Sequence, residues 1–247
     1  MRRLLAKILI ALFRATPSSW RKQLCCLSFE AAERNRQPAA GLRELMFLDE
    51  RLYHHLNQAA IRYEGGIHPK HRLMNYHSFF VDRIEKGEKV LDVGCGNGTV
   101  AMHMAESGAF VTGLDLNEEN ISLSRKRYQH KNLEFIRGDA TDDVSGGPYD
   151  VIVMSNVLEH IRDRVELLKK LQNSCTPRRF LIRIPMFNRH WLVPLKKELG
   201  MPYFSDSTHF TEYTLNSFKA EMKDAGLMVH HHESAWGEIW AEVLKCQ

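Results

Sequence analysis

A chain of 247 residues is long for one compact domain and short for two large ones, and its 44% hydrophobic and 26% charged residues, with 15 Gly and 8 Pro, exclude collagen-like, coiled-coil and wholly disordered chains. Five cysteines, at 25, 26, 95, 175 and 246, show no C-x-x-C spacing, so neither a disulfide scaffold nor a zinc knuckle is supported and a reducing, cytoplasmic setting is expected. The net charge of +4 is uneven: Arg2, Arg3, Lys7, Arg14, Arg21 and Lys22 precede the first acid, Glu30, which leaves 28 of the 34 basic residues against 30 acidic ones in the body and argues against nucleic acid as a partner.

Leu4, Leu5, Ile8, Leu9, Leu12 and Phe13 return to one face at 3.6 residues per turn while Arg3, Lys7 and Arg14 fall largely elsewhere, so residues 1–22 read as a basic amphipathic helix. The apolar run is far below the roughly 20 residues that span a bilayer. Lys7 interrupts it and Ala15-Thr16-Pro17 makes a poor cleavage site, so a signal peptide is not expected. Two readings remain: a helix lying on an anionic membrane surface, or one docked on its own domain or a partner. Residues 23–64 read as a helical extension, with Pro38 and Gly41 breaking the helical pattern, and residues 65–247 as the main domain.

In that domain strands and helices alternate. Strands are predicted at 89–93, 109–114, 133–136, 149–154 and 179–184, with helices at 99–106, 118–128 and 162–172 between them. Such alternation implies an α/β fold with a mostly parallel, doubly wound sheet and helices on both faces. Residues 185–208 read as a long loop, of the kind that forms a lid or a binding wall. A helix at 213–225, ended by Gly226, and strands at 227–232 and 238–244 close the chain.

The strongest signal is Val90-Leu91-Asp92-Val93-Gly94-Cys95-Gly96-Asn97-Gly98. A strand running into Gly-x-Gly-x-Gly turns tightly, leaves no Cβ where a ligand must approach, and presents the free N–H groups of the next helix. Asp115 ends the second strand, 21 residues beyond Gly94, where an acid can accept both hydroxyl hydrogens of a ribose. Asp139, after the third strand, could take a hydrogen bond from an exocyclic adenine amine.

These segments, with Tyr149 to His160, resemble the successive motifs of class I S-adenosylmethionine-dependent methyltransferases, and within them the branch that includes ubiquinone-type O-methyltransferases. The resemblance covers residues 65–247. It implies a Rossmann-like sheet of seven strands with the last antiparallel, and S-adenosylmethionine as cofactor. It further implies that Gly94, Gly96 and Gly98 line the methionine part and that Asp92 meets its amino group. Asp115 would hold the ribose, Leu116 pack on adenine, Asp139 and Ala140 bracket the adenine edge, and Ser155 sit below the methionine. Arg72 matches an arginine that pairs with the cofactor carboxylate.

Methyl transfer from a sulfonium is an in-line displacement in which alignment and exclusion of water do most of the catalysis, while an alcohol acceptor also needs a base, a role that suits His near neutral pH. By the resemblance, His160 is the first candidate base. Some relatives bind a divalent ion through Glu-x-x-Glu-His at this position; here Asn156 replaces the first carboxylate, so no metal is expected. His209 is a second catalytic candidate, and Glu212, Arg183 and Trp191 are candidate acceptor contacts, with Trp191 suited to stack on a sugar or ring. Thr211 and Glu212 also suit the start of the following helix. His230-His231-His232 is expected to alternate across a strand rather than form a metal tract.

Residues 68–80 and 183–213 resemble bacterial methyltransferases of surface-polysaccharide or other glycan assembly, which makes a sugar hydroxyl, free or lipid-linked, the leading acceptor. A quinone-like phenol or a small-molecule amine comes next. The Asn-Pro-Pro-Tyr-type tetrad of DNA and glutamine N-methyltransferases is missing after the fourth strand, and a nicotinamide dehydrogenase would want Gly where Thr99 stands. A cofactor-binding module without turnover is the non-enzyme alternative.

Overall fold

The computed structural model describes residues 2–142, 144 and 147–246, and for residues 2–6, 8 and 9 the backbone alone. The chain divides into two compact units, Met1–His68 with Glu198–Met201, and Pro69–Lys197 with Pro202–Gln247.

The first unit is helical: α1 (Arg2–Ala15), α2 (Ser18–Glu33) and α3 (Pro38–Tyr63). The predicted basic segment is therefore two helices, because Pro17 interrupts it and α2 continues well past residue 22. Pro38 opens α3 instead of breaking it, since a proline in the first helical turn removes an N–H that would have no partner. Gly41 lies inside α3 for a packing reason: a Cβ there would meet the Ala32 carbonyl oxygen of α2 at 2.1 Å. The predicted apolar positions Leu4, Leu5, Ile8 and Leu9 have side chains outside the described residues, whereas Leu12 and Phe13 are exposed, as are Trp20, Leu24 and Leu27 on α2.

The second unit opens with two short helices, α4 (Lys70–Met74) and α5 (Tyr76–Val81). There follow β1 (Lys89–Val93), α6 (Thr99–Glu106), β2 (Phe110–Asp115), α7 (Glu118–Arg127), β3 (Leu133–Arg137) and β4 (Val151–Ser155). After a 3-10 turn (Leu158–His160) come α8 (Arg164–Ser174), β5 (Arg179–Pro185), α9 (Leu192–Glu198), α10 (Leu215–Asp224), β6 (Leu227–Ala235) and β7 (Glu238–Lys245). The strands form one seven-stranded sheet in the order β3-β2-β1-β4-β5-β7-β6, parallel except for β7, which runs antiparallel to both neighbours. The predicted fold class is the one observed.

Strands buried on both faces read as unbroken apolar runs, and these do. Leu91, Ile152, Met154, Phe180 and Ile182 pack under α8 and α10, while Val90, Val151, Val153 and Leu181 pack on the opposite face with α5 and α6. On that second face the alternation carries Asp92, Ser155 and Arg183 to the carboxyl ends of β1, β4 and β5. An apolar row thus ends in a polar rim where parallel sheets of this kind bind ligands.

Three local features differ from the sequence reading. The segment 185–208 contains α9 and so is not a plain loop. The cap of α10 is Thr214, whose hydroxyl accepts from the Ser217 N–H in a reciprocal capping box, so Thr211 and Glu212 lie outside the helix. The pairing of β6 with β7 shifts between Val229 and His231, and this irregularity leaves His230 and His231 both exposed instead of on alternate faces.

Candidate active site

The turn after β1 is built from backbone that only glycine adopts cheaply. Gly94, Gly96 and Gly98 have φ of 66°, 54° and 74°. They differ in what surrounds them. A Cβ on Gly94 would meet Val157 Cγ2 at 2.6 Å and one on Gly98 would meet Phe135 Cζ at 2.6 Å, whereas one on Gly96 would meet nothing within 4 Å. Gly94 and Gly98 are thus needed for packing as well as for the turn, and Gly96 faces open space.

Two carboxylates bracket this turn. Asp115 at the end of β2 accepts from the Gly96 N–H at 2.8 Å with Oδ2, and from the Asn117 N–H and Asn120 Nδ2 with Oδ1. Asp92 is buried and its Oδ2 has no partner. Burial, reinforced by the Asp115 charge, pushes its pKa up to about 8. A buried carboxyl oxygen without a partner is costly in a site that stays empty and well suited to one that receives an ammonium group. Leu116 follows β2 with 63% of its surface exposed. Asp139 accepts from the Thr141 N–H and hydroxyl with Oδ1, shaping the turn after β3, next to the buried Ala140. An unpartnered acid, an open glycine and an acid 19 residues beyond Gly96 fit the amino, backbone and ribose parts of a sulfonium nucleoside.

Arg72, on α4, is exposed. Arg183, predicted as an acceptor contact, is instead 4% exposed and committed inside the fold: Nε and Nη2 each donate to the Glu238 carboxylate at 2.6 Å, Nη1 donates to Ser155 Oγ at 3.2 Å, and the guanidinium lies 3.7 Å over the Tyr76 ring. Trp240 Nε1 also donates to Glu238. Its guanidinium is thus occupied by Glu238, Ser155 and Tyr76. Glu238 was not picked out in the sequence because its partner is 55 residues away and only the β5–β7 pairing brings them together.

Beyond β4, Glu159, His160 and His209 meet, each offering one ligand atom within 4.8 Å of the others. Asn156, with φ of 57°, lets the chain leave the strand abruptly into the 3-10 turn. The Phe210 N–H donates to the Glu159 carbonyl at 2.8 Å and the His209 ring packs edge-on to His160 with centroids 4.5 Å apart. His160 Nδ1 is 2.8 Å from Thr208 Oγ1, and Thr208 Oγ1 donates to Asp206 Oδ1 at 2.6 Å. Burial, then the nearby His160, lowers the His209 pKa, which keeps its ring neutral near pH 7. His160 also lines a cleft of about 400 Å³ beside Thr141, next to the turn that holds Asp139.

Glu159 is fully buried, neither of its carboxyl oxygens has a partner, and burial raises its pKa to about 8. The Asn156 Oδ1 is likewise buried without a partner. The orphaned Glu159 carboxylate and two imidazoles fit a divalent cation with a mixed nitrogen and oxygen shell, a combination the local motif did not disclose because His209 arrives from 49 residues downstream. A cation held there by Glu159, His160 and His209 would polarise an acceptor hydroxyl.

Glu212, also predicted as an acceptor contact, has a fully buried side chain that takes hydrogen bonds from Arg189 and from the Ser205 N–H and hydroxyl. It fastens the segment carrying Thr208 and His209. Arg189, unremarked in the sequence, is its ionic partner. Trp191 stands 66% exposed, and no described contact ties it to the cluster.

A family model described as "Methyltransferase domain" matches residues 66–232. Among curated proteins, the ubiquinone biosynthesis O-methyltransferase of Vibrio campbellii is 35% identical over 114 residues, 43% of this chain and 48% of that protein. Its counterpart in Shewanella halifaxensis is 29% identical over 147 residues, 57% of this chain and 62% of that one. The chain thus spans about half the length of the curated relatives it matches. Among solved structures, the magnesium protoporphyrin IX methyltransferase of Synechocystis with bound SAH shares the fold at a TM-score of 0.56 and 20% identity, over 71% of this chain and 83% of that one. A Haloferax volcanii putative methyltransferase complex with the Trm112 activator does so at 0.58 and 16%, over 72% and 92%.

Proposed function

Because the chain belongs to the class I S-adenosylmethionine-dependent methyltransferases, we propose that it passes the methyl group of that cofactor to a hydroxyl oxygen, with a sugar or lipid-linked glycan as the leading acceptor. The observation that carries this reading is the convergence of His160, His209 and the unpartnered Glu159 beyond β4. A thioether attacks through a lone pair as it stands, whereas a hydroxyl must shed a proton, and this cluster supplies groups to receive it.

In this reading Asp92 takes the cofactor ammonium, Asp115 the ribose hydroxyls, and Leu116, Asp139 and Ala140 the adenine. Gly94, Gly96 and Gly98 let the methionine portion lie against the backbone, Ser155 sits beneath it, and Arg72 pairs with the carboxylate. The glycine turn and its two acids support this assignment. The sulfonium makes its own leaving group, so these residues chiefly align carbon, sulfur and oxygen and keep water out. His160 is the first base and His209 its neighbour. In this reading Trp191 stacks on the sugar ring of the acceptor.

A quinone-like phenol is the second reading. The names of the curated relatives favour it, and a phenol presents the same oxygen proton to the same residues. The proposed setting for either is the cytoplasmic side of a membrane, with residues 1–22 resting on anionic lipid; among the described residues no helix is long and apolar enough to cross it. Incubation of the protein with deuteromethyl cofactor and cell extract, followed by mass spectrometry, tests the reading. Label on a glycan or phenol oxygen is expected, and label on nitrogen alone overturns it.

A further inference from the structure

The imidazole of His160, on the 3-10 turn beyond β4, has a neighbour whose hydrogen can be traced. Thr208 has one hydroxyl hydrogen, and it is spent on Asp206 Oδ1 at 2.6 Å. Asp206 cannot return one, because an ionised carboxylate only accepts, and the same Oδ1 already receives the Thr208 N–H at 2.8 Å.

Thr208 Oγ1 can therefore only accept from His160 Nδ1, 2.8 Å away. Were Nδ1 bare, two lone pairs would face each other at hydrogen-bond distance. We propose that Thr208 and Asp206 are positioning residues that hold His160 as its Nδ1–H tautomer and leave the Nε2 lone pair for the acceptor. The inference rests on the hydroxyl-acceptor reading for its purpose and on hydrogen bookkeeping alone for its substance. A neutral imidazole carries one N–H, so fixing it at Nδ1 makes Nε2 the acceptor nitrogen. Free histidine in water favours the opposite tautomer, with Nε2 protonated and unable to receive a proton. The arrangement resembles a carboxylate orienting a catalytic imidazole, with a threonine hydroxyl interposed.

The backbone supports the geometry from both sides. The Phe210 N–H bond to the Glu159 carbonyl ties the Thr208 segment to the turn bearing His160, and Glu212 with Arg189 fastens the same segment behind it. Neither Thr208 nor Asp206 is buried, so replacing them leaves the core intact.

Long-range proton–nitrogen spectra of the full chain with labelled histidine, at pH 8, read the protonated nitrogen directly. The His160 signals are assigned by their loss in His160→Gln. In the parent protein Nδ1 is expected to be protonated and Nε2 bare. Thr208→Val should move the proton wholly or partly to Nε2, and Thr208→Ser should restore it to Nδ1. Asp206→Asn should produce the same displacement as Thr208→Val, since an amide can donate to Thr208 and turn its hydroxyl toward His160. A bare Nδ1 in the parent protein, or spectra unmoved by Thr208→Val, overturns the proposal. The cofactor affinity of each variant, measured by calorimetry, should equal the parent's, which separates a changed tautomer from a damaged fold. If the tautomer responds as expected while no hydroxyl is methylated, the acceptor reading fails and this assignment stands.

Discussion

Asp92 is the residue on which cofactor recognition can be read through protons. Its folded pKa near 8 lies far above the 3.8 of an exposed aspartate, so at pH 6.5 the folded protein holds a proton there that the unfolded chain does not. The linkage sign follows: its contribution to stability is full below about pH 4 and is lost as pH rises to 8, with a slope of about 1.4 kcal/mol per unit. Asp92→Asn should abolish that slope, so that the stability difference between parent and variant in denaturant titrations itself falls by that amount per pH unit. An ammonium group arriving at Asp92 favours the ionised form and expels the proton. Cofactor affinity should then rise about tenfold per unit between pH 6 and 8 and level off above, with proton release seen by calorimetry in buffers of different ionisation enthalpy. A pH-independent affinity would show that the ammonium does not meet Asp92. Gly98→Ala addresses the same turn by sterics: a positive φ and a Cβ 2.6 Å from Phe135 should cost about 2–4 kcal/mol of stability, measured by urea unfolding. These residues were legible in the sequence because one contiguous strand and turn brings them together. Glu159, His209 and Glu212 were legible only as isolated polar residues and Arg189 not at all, since the meeting of distant segments makes each pair.

Among the elements, β5 and β7 carry the largest departure from the sequence reading. Arg183 looked like a group for an acceptor because it stands just before the loop at 185. Antiparallel pairing sets it beside Glu238 and removes both from water. Deleting one member of such a pair strands the other as a buried charge. Arg183→Met should therefore cost about 3–5 kcal/mol, and the Arg183→Met with Glu238→Gln double variant should recover part of that loss in urea unfolding. Were Arg183 an acceptor contact alone, the single variant would keep its stability. The alternation of strands and helices was readable because the apolar runs of a buried parallel sheet are continuous and its turns carry Gly and Asp. The start of α10 was misplaced by two residues, at 213 instead of Leu215, because Thr211, Glu212 and Thr214 are all plausible from composition. Only the hydroxyl bonded to the Ser217 N–H decides among them.

At the scale of the whole molecule, the residues proposed to handle cofactor and acceptor lie in the unit that begins at Pro69, and the basic, apolar-faced helices lie in the other. The two properties should therefore separate. Residues 1–29 hold six Arg and Lys and no acid, and Trp20, Leu24 and Leu27 recur at i, i+4 and i+7 on α2 with their side chains exposed. Near an anionic bilayer each basic residue contributes about 1 kcal/mol, so replacing Arg2, Arg3, Lys7 and Arg14 with Gln should weaken binding to phosphatidylglycerol-containing vesicles by about 4 kcal/mol, roughly a thousandfold. Salt should weaken the parent's binding in the same direction, since exposed charges more than a Debye length from the lipid are screened. Trp20→Ser should lower binding while leaving its salt dependence, because an interfacial aromatic contributes through its apolar ring. Flotation with anionic and zwitterionic vesicles reads these effects, and calorimetry with S-adenosylmethionine should return the parent's affinity for every variant. Equal flotation on both vesicle types would remove the electrostatic account. Loss of self-association in the variants, measured by sedimentation, would assign the same helices to a second copy of the chain instead.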